Sequence, residues 1–321
     1  MTLHRRTWLV YAAALSLAAP AFAQKYPEKP ITFIVPFAAG SATDQLARAL
    51  GQSVSADTKQ PVIVDNKAGA SGMLAAQAAA KAAPDGYTVL ISTNTTHAAN
   101  EHLFKKLSYD PVKDFAPLTA LGKGGQVLVV HVNSPYKSVA DLLAKARKDP
   151  GKLSFGSGSS SSRVAGELFK QMSHTDILHV PYKSNPQAVT DLLCGQIDLM
   201  ITDTATGLPQ IKGGKLRALG VSTLKRSALL PDVPTIDEAG VKGYDMGYWF
   251  AAYVPAGTPA PVVARLHELL VNGTKSAAAR SFYEGSGAEA WTTTPEELAK
   301  FQHDEARKWG RIIKAAGIEP E

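Results

Sequence analysis

Short β-branched runs alternate with segments of helical period along most of this chain. Runs of four to eight residues such as ITFIVPF, PVIVDN and YTVLIS are apolar enough to form buried strands. Segments such as DQLARALGQSV and SVADLLAKARK lie between them and repeat apolar residues every three or four positions. A strand, a helix and another strand form the βαβ unit, whose two strands run parallel. The alternation therefore predicts an α/β protein with mainly parallel sheets.

Capping patterns mark two helix starts within this alternation. Ser138 is followed three positions later by Asp141, and Thr294 is followed in the same way by Glu297. A hydroxyl residue with an acid three places on is typical of the first turn of a helix. We therefore expect a helix after Ser138 and a long final helix over residues 295–316.

The length of the chain, 321 residues, exceeds what one hydrophobic core usually spans and predicts two domains. The run LTALGKGGQVLVV carries glycines through a strand and indicates a passage between domains, and a second passage is predicted near RALGVST. Two passages give one domain made from both chain ends and one made from the middle. The predicted limits are 1–23 for a signal peptide, 24–124 plus 223–321 for domain 1, and 125–222 for domain 2.

The first residues have the pattern of a secretory leader. Arg5 and Arg6 precede an apolar stretch over residues 7–19, and Ala-Phe-Ala at 21–23 offers a small-x-small cleavage site before Gln24. The apolar stretch is short for a membrane anchor, which needs about 20 residues. We therefore expect an exported, periplasmic protein that begins at Gln24 after cleavage.

Charge and cysteine content exclude some classes of function. The net charge of +6 falls to +4 when Arg5 and Arg6 leave with the leader, and the basic residues form no block. Such a distribution is typical of a solvated surface and not of a nucleic-acid-binding arm. Cys194 is the only cysteine, so no disulfide can form within the chain, and its apolar surroundings predict a buried thiol.

Two loops share one design and are the strongest candidates for a binding site. A strand runs into the small residues Ala38–Asp44 and then a helix, and another strand runs into Gly156–Ser162 and then a helix. Small side chains let a ligand approach the backbone, and the unbonded N–H groups at a helix start favour an anion. Because parallel sheets bind ligands at the carboxyl ends of their strands, the two loops predict a carboxylate held between two domains.

Other residues near strand ends leave alternatives open. The polar cluster from Thr93 to His97 could bind a carboxylate or form a solvated turn, and Asp203 could bind an amino group or shape its loop. Three consecutive aromatic residues, with Phe37, could line the cleft and favour an aromatic or long aliphatic acid, or could pack in the core. These three are Tyr248, Trp249 and Phe250.

Motifs of secreted enzymes are missing from the sequence. The segment Gly156–Ser160 lacks the G-x-S-x-G spacing of a serine hydrolase, and the stretch from His97 to His102 does not fit a zinc peptidase motif. The glycines of the second loop do not complete a dinucleotide fingerprint, and no P-loop is present. The sequence therefore predicts no catalytic residue, no metal and no cofactor, and a secreted hydrolase stays a remote alternative.

Six segments, in order along nearly the whole mature chain, resemble signatures of the tripartite tricarboxylate transporter receptor family, often called Bug receptors. These segments are PFAAGSATDQLAR, AGASGMLAAQAAAKAAPDGYTVL, THAANEHLFKKLSYDPVKDFAPLT, VPYKSNPQAVTDLLCGQIDLM, KLRALGVST and LLPDVPTIDEAG. The resemblance implies a type II periplasmic binding protein fold, in which two α/β domains are joined by two crossing strands with the ligand cleft between them. It also implies a monomeric receptor that gives a small carboxylate to integral membrane transporter subunits. A sensor subunit for a signalling system is the alternative.

The resemblance assigns ligand-binding roles to residues of the two loops and the polar cluster. These are Ala39, Gly40, Ser41, Thr43, Thr93, Thr96, His97, Ser157, Gly158, Ser159 and Ser160. Phe37, Asp44, Arg163 and Asp203 complete the predicted site. The first loop reads AAGS where the family often has a proline and a glycine pair. Arg163 stands where many relatives have a histidine, so it could grip the ligand or point to solvent.

Overall fold

One long strand, β4 (Phe115–His131), runs through both halves of the sheet in the computed structural model, which describes residues 26–321. β4 pairs with β9 (Gly247–Pro255) through residues 115–125 and with β7 (Leu199–Asp203) through residues 126–130. It contains the glycine-containing segment LTALGKGGQVLVV, residues 118–130. The predicted leader and its cleavage point before Gln24 lie outside the described residues.

The remaining strands lie on either side of β4. The first half contains β1 (Ile31–Val35), β2 (Val62–Asn66) and β3 (Thr88–Thr93). The second half contains β5 (Ser154–Ser157), β6 (Leu178–Pro181) and β8 (Leu216–Val221). The strand order is β2-β1-β3-β9-β4-β7-β5-β6, with β8 also paired to β4.

Parallel pairing is less general than the sequence predicts. β1 is parallel to β2 and β3, and β5 is parallel to β6 and β7. β4 is antiparallel to β7, β8 and β9, and β9 is antiparallel to β3. The antiparallel pairs arise because β4 carries the chain out of the first half, whereas β9 runs back into it.

Helices cover both faces of this sheet. They are α1 (Ala42–Thr58), α2 (Met73–Ala80), α3 (Asn100–Leu103), α4 (Val139–Lys148), α5 (Ser160–Ser173), α6 (Asn185–Leu193), α7 (Thr204–Lys212), α8 (Ala260–Thr274), α9 (Ala277–Ser286) and α10 (Pro295–Ala315). A π-helical turn, Thr95–Ala99, leads into α3. The predicted caps of α4 and α10 are present, with Ser138 accepting from the Asp141 N–H and Thr294 sharing a capping box with Glu297.

The alternation of side chains along β4 divides the apolar core. Val127 and Val129 pack with residues of α6 and β8, whereas Leu128 and Val130 pack on the opposite face with α4 and α5. Successive residues of a strand point to opposite faces, so a strand covered by helices on both sides is apolar throughout. Residues 127–130 have this composition because both faces of the strand are buried there.

The chain returns to the first half after a connection that packs beside β8. Ile236 donates its N–H to the Val221 carbonyl, and the Tyr244 hydroxyl donates to the Ala165 carbonyl in α5. β9 then enters the first half at Gly247. The predicted domain limits at 124/125 and 222/223 stay predictions.

Cys194 is exposed, which corrects the predicted burial of its thiol. α6 ends at Leu193, so Cys194 takes the C-cap position and leaves the buried face on which Ala188 and Leu192 lie. Within residues 26–321, no helix combines the length and apolarity needed to cross a membrane.

Candidate ligand-binding site

The carboxyl ends of β1, β3, β5 and β7 lead into loops that border one cavity. It contains about 410 Å³ of empty space and is partly open to solvent. β4, β9 and the start of α6 supply the rest of the wall. The lining residues are Phe37, Ser41, Ala42, Thr43, Thr93, Asn94, Thr95, Gln126, Gly158, Ser159, Ser161, Asn185, Asp203, Tyr248 and Phe250.

The first loop presents the start of α1 to this cavity. Ser41 caps the helix, since its Oγ accepts the Asp44 N–H at 3.3 Å. The N–H groups of Ala42 and Thr43, which follow the cap, have no hydrogen-bond partner within the described chain. Both residues line the cavity, so unbonded donors and the positive end of the helix dipole lie where an anion would be stabilised.

The second loop presents the start of α5 in the same way. The Ser159 Oγ accepts the Ser162 N–H, and the Ser159 N–H donates to the Ser162 Oγ, each at 3.2 Å. The N–H groups of Ser160 and Ser161 have no partner in residues 26–321, and Ser161 lines the cavity. A helix start from each half of the sheet therefore offers donors to the same space.

Gly158 fixes the path of the second loop. Its N–H donates to the Asn185 Oδ1 at 3.0 Å, and a Cβ at this position would lie 1.9 Å from the carbonyl carbon of Ser184. Only glycine allows these two segments to approach so closely.

The polar cluster after β3 divides between the cavity and the core. Thr93, Asn94 and Thr95 line the cavity, and the Asn94 Nδ2 donates to the Ser161 Oγ at 2.6 Å across the two halves. Thr96 and His97 do not line it, because the π-helical turn directs them beneath the loop.

His97 is a core residue in this structure. It is fully buried, stacks on Tyr253 with ring centroids 3.9 Å apart, and bonds through Nδ1 to the Ser92 Oγ at 2.6 Å. Burial lowers the pKa of His97 to about 3, so the ring is neutral at physiological pH.

Asp44, Ala39 and Gly40 shape the first loop from outside the cavity. The Asp44 carboxylate accepts from the Gly40 N–H at 2.9 Å, from Arg48 and from Asn66. Burial opposes the ionisation of Asp44 and would raise its pKa. The hydrogen bonds outweigh burial, with the bond from Arg48 the strongest, and they lower the pKa of Asp44 below its ordinary value. Ala39 and Gly40 are exposed and do not line the cavity. The Gly40 N–H donates to Asp44, so it is not available to a ligand.

Three predicted residues of the second loop also bond elsewhere. The Ser160 Oγ donates to the Asn100 Oδ1 at 2.7 Å, and the Ser157 Oγ bonds the His179 Nε2 at 2.7 Å. Arg163 neither grips the cavity nor points to solvent, because its guanidinium pairs with the Glu321 carboxylate at 2.6 Å. The structure therefore brings together Phe37, Ser41, Thr43, Thr93, Gly158, Ser159 and Asp203 from the predicted set.

Comparison with known proteins identifies this architecture. The model of the tripartite tricarboxylate transporter family receptor matches residues 46–318. The chain belongs to this family.

Three members of the family show how similar this chain is to known proteins in sequence and in structure. BugT of Bordetella pertussis (strain Tohama I) is 32% identical over 311 residues, which cover 96% of this chain and 95% of that protein. The structure of R. palustris Rpa4515 with adipate has a TM-score of 0.89 at 35% identity and covers 92% of this chain and 100% of that chain. The periplasmic binding protein BugD has a TM-score of 0.88 at 33% identity, with the same two coverages.

The family confirms the predicted class of protein. Its members are solute-binding receptors with the two-domain type II fold, and they are not enzymes. In the described part of this receptor, no cluster of three or more His, Cys, Asp or Glu residues could hold a metal ion.

An aromatic wall closes one side of the cavity in this receptor. Phe37, Tyr248 and Phe250 line it, whereas Trp249 lies on the other face of β9 and donates its Nε1–H to Glu305 at 3.0 Å. The period of two along a strand accounts for this division. Burial, together with the nearby Asp203 charge, raises the pKa of Tyr248, so its phenol stays protonated.

Sequence reasoning missed several residues of the receptor's cavity. Gln126 lies in the strand predicted only as a passage, and Asn185 begins a helix predicted only from its period. The signal at Gln126 is a polar residue that opens the apolar run QVLVV. At Asn185 it is a third strand–loop–helix unit, since β6 leads through Ser184 into α6. Asn94 and Ser161 stand within the predicted polar cluster and the second predicted loop, but they are not among the residues to which the resemblance assigns a binding role.

Proposed function

We propose that this receptor captures a small carboxylate in the periplasm and delivers it to a tripartite tricarboxylate-type membrane transporter. The observation that carries the proposal is the convergence of two helix starts, after Ser41 and after Ser159, on one cavity. Their unbonded N–H groups are donors for an anion. The related structure of R. palustris Rpa4515, which has adipate, supports a carboxylate ligand.

The electrostatics of the lining explain how a carboxylate can be held without a cation. Within the described residues, no Lys, Arg or His lines the cavity. Hydrogen bonds to a charged group contribute about 1.5–3 kcal/mol each, and a helix dipole adds about 0.3–1 kcal/mol. Several backbone donors from α1 and α5 therefore suffice for a tight complex once water is excluded.

A ligand screen tests carboxylate capture. Mono-, di- and tricarboxylic acids and aromatic acids are added to the mature protein, and thermal unfolding and calorimetry report binding. A ligand at a hundredfold excess over its Kd should stabilise the protein by about 2.7 kcal/mol. The matched controls are the neutral amides of the same acids, which keep the shape and lack the charge. Equal binding of acid and amide, or no binding of any acid, would overturn the proposal.

A membrane pull-down tests delivery. The carboxylate-loaded receptor should retain integral membrane transporter subunits from membranes of its own organism, and retention should weaken without ligand. Retention of a signalling protein in their place would assign the receptor to sensing.

N-terminal sequencing tests export of the receptor. Because the predicted leader ends at Ala23, the sequence of the periplasmic protein should begin at Gln24 or within two residues of it. Met1 retained on exported protein would contradict cleavage.

A further inference from the structure

We infer that residues 317–321 form a strap, which fastens the two halves of this receptor together through an ion pair between Glu321 and Arg163. The pair joins a segment bound to the first half of the sheet to α5 of the second half. Closure by such a strap does not depend on which ligand the cavity holds. The strap and the proposed function are therefore tested separately.

The strap begins where α10 ends. Gly317 has a φ of 68°, and its N–H donates to the Lys314 carbonyl at 3.1 Å. The Ile318 N–H donates to the Ile313 carbonyl at 3.2 Å. These two bonds form a Schellman motif, in which a glycine in the left-handed region ends the helix. The residues after Gly317 therefore leave the axis of α10.

The backbone of Glu321 is bound to the first half of the receptor. Its N–H donates to the Leu103 carbonyl at 3.0 Å, and its carbonyl accepts the Lys105 N–H at 2.9 Å. Leu103 ends α3, which follows β3 and the π-helical turn. Ile318, at the other end of the strap, is buried in the core. Two backbone bonds and one apolar side chain thus fix the strap to the first half.

The side chain of Glu321 reaches the second half. Its Oε1 accepts from the Arg163 Nη1 at 2.6 Å. Within residues 26–321, Glu321 is the only partner of this guanidinium, whose Nε is buried without a hydrogen bond. The Arg163 side chain is only 19% exposed, and a largely buried cation needs a counter-charge. The strap supplies that charge only while the two halves are together.

The stability of α5 does not account for a cation at this position. Arg163 lies in the first turn of α5, which begins after the cap Ser159. The start of a helix is the positive end of its dipole, so a cation is disfavoured there and an anion is favoured. Arg163 does not line the cavity either. The carboxylate of Glu321 compensates for this unfavourable position, which makes the pair between the halves its best explanation.

The ion pair makes closure depend on ionic strength. The bond from Asn94 to Ser161 across the cavity joins neutral, buried groups, which salt does not screen. The Glu321 side chain is 59% exposed, so its pair with Arg163 is open to screening. The screening length falls from about 10 Å at 0.1 M salt to about 3 Å at 1 M. The two halves should therefore separate more readily as salt is added.

Single-molecule energy transfer on the ligand-free mature receptor tests the strap. One dye is placed on Cys194 in the second half, and the other is placed on Val112→Cys, an exposed position in the first half. The populations with high and low transfer give the equilibrium constant for closing. Between about 0.05 M and about 1 M NaCl, this constant should fall about twofold, as expected for a partly exposed ion pair. A constant that does not change with salt would overturn the inference.

Variants of the pair identify the cause of the salt dependence. Glu321→Gln and Arg163→Gln should each lower the closing constant about twofold at low salt and remove most of its salt dependence. Because both remove the same pair, the double variant should lower the constant no further than either alone. Arg163→Glu places two carboxylates together and should lower it more, whereas Arg163→Glu combined with Glu321→Arg should restore it.

Lys145→Gln is the matched control. The Lys145–Asp149 pair has the same separation of 2.6 Å but lies within the second half, so its loss should leave the closing constant and its salt dependence unchanged. Circular dichroism shows that each variant is folded. The strap would be contradicted by folded Glu321→Gln and Arg163→Gln variants that close like the wild type. It would also be contradicted by an equal effect in Lys145→Gln, which would indicate a general effect of charge.

Discussion

The loop before α1 is held by a carboxylate, whereas the loop before α5 is held by hydroxyl and amide groups. In the first loop, Asp44 gathers the Gly40 N–H, Arg48 and Asn66 on the side away from the cavity. In the second loop, Ser159 and Ser162 bond each other, and Gly158 is pressed against the chain before α6. The same strand–loop–helix design therefore presents the same donors through different supports, and the two supports should fail under different conditions.

The largest difference should appear when glycine is replaced in each loop. Gly158→Ala places a Cβ 1.9 Å from a backbone carbon, so we expect a loss of at least about 3 kcal/mol in unfolding free energy and no carboxylate binding. Gly40→Ala meets no atom within 4 Å and suffers only from a φ of 82°, which costs about 1–2 kcal/mol. Urea unfolding and calorimetry on both variants measure the contrast. Equal losses would show that the two loops are equally constrained.

A histidine behind each loop, fully buried in the first half and half-buried in the second, should give a second contrast, in pH dependence. His97 bonds Ser92 in the first half, and His179 bonds Ser157 in the second. Burial lowers the pKa of His97 to about 3, and burial with the nearby Arg163 and Lys170 charges lowers that of His179 to about 4. The unfolded chain, with a histidine pKa near 6.5, therefore binds protons before the folded protein does.

The contribution of each histidine to the unfolding free energy should be fully present above pH 6.5. It should decline as the pH falls towards 3 for His97 and towards 4 for His179. One pKa unit corresponds to about 1.4 kcal/mol, so His97 sets a decline of a few kcal/mol. His97→Gln should flatten the decline more than His179→Gln, because His179 is partly exposed. Urea unfolding between pH 7 and pH 4 measures both slopes, and a variant slope equal to the wild-type slope would contradict this account.

Removal of the charge that holds the first loop should have a moderate effect. Asp44→Asn loses the ion pair with Arg48, and we expect a loss of about 2 kcal/mol in unfolding free energy at pH 7. Because the folded-state pKa of Asp44 is lowered, its contribution is present above pH 4 and is lost as the pH falls through the folded-state value. Asp44→Asn should therefore match the wild type more closely in acid than at pH 7. Ser162→Ala in the second loop is the control, since it removes no titratable group.

The smallest effect should follow replacement of Arg163, the cation that the sequence offers as a possible ligand contact. Arg163 pairs with Glu321 and does not line the cavity, so Arg163→Gln should change carboxylate affinity by less than about threefold. Calorimetry on this variant beside Glu321→Gln, which breaks the same pair, measures it. A loss of tenfold or more in Arg163→Gln alone would return the arginine to the ligand site.

Regular local patterns let the sequence predict most of the fold. The strands, the caps at Ser138 and Thr294 and the two helix starts around the cavity depend on spacing within a few residues, and the structure contains all of them. The antiparallel crossing and the exposure of Cys194 depend on where distant segments meet, which spacing alone does not determine.

The site was predicted only in part for the same reason. Thr96 and His97 lie three and four residues after Thr93, but a π-helical turn, whose hydrogen bonds join residues five apart and not four, moves them under the loop. Gln126 reaches the cavity because β4 crosses it, although no nearby residue indicates a site. By contrast, strand alternation alone could have predicted that Trp249 lies on the opposite face of β9 from Tyr248 and Phe250.

The hydrogen bonds between the polar cluster and α5 have a consequence for the rate at which a ligand enters. Asn94 to Ser161 and Ser160 to Asn100 are bonds between protein atoms on the two sides of the cavity, so they form independently of any ligand. Entry must then wait until they break, and the observed association rate should reach a plateau as ligand concentration rises, at the rate of opening. Departure must wait for the same event, which lengthens the residence of a captured molecule. Ser161→Ala should raise both rates in stopped-flow measurements while changing the equilibrium affinity much less, because one barrier separates the bound from the free ligand in both directions.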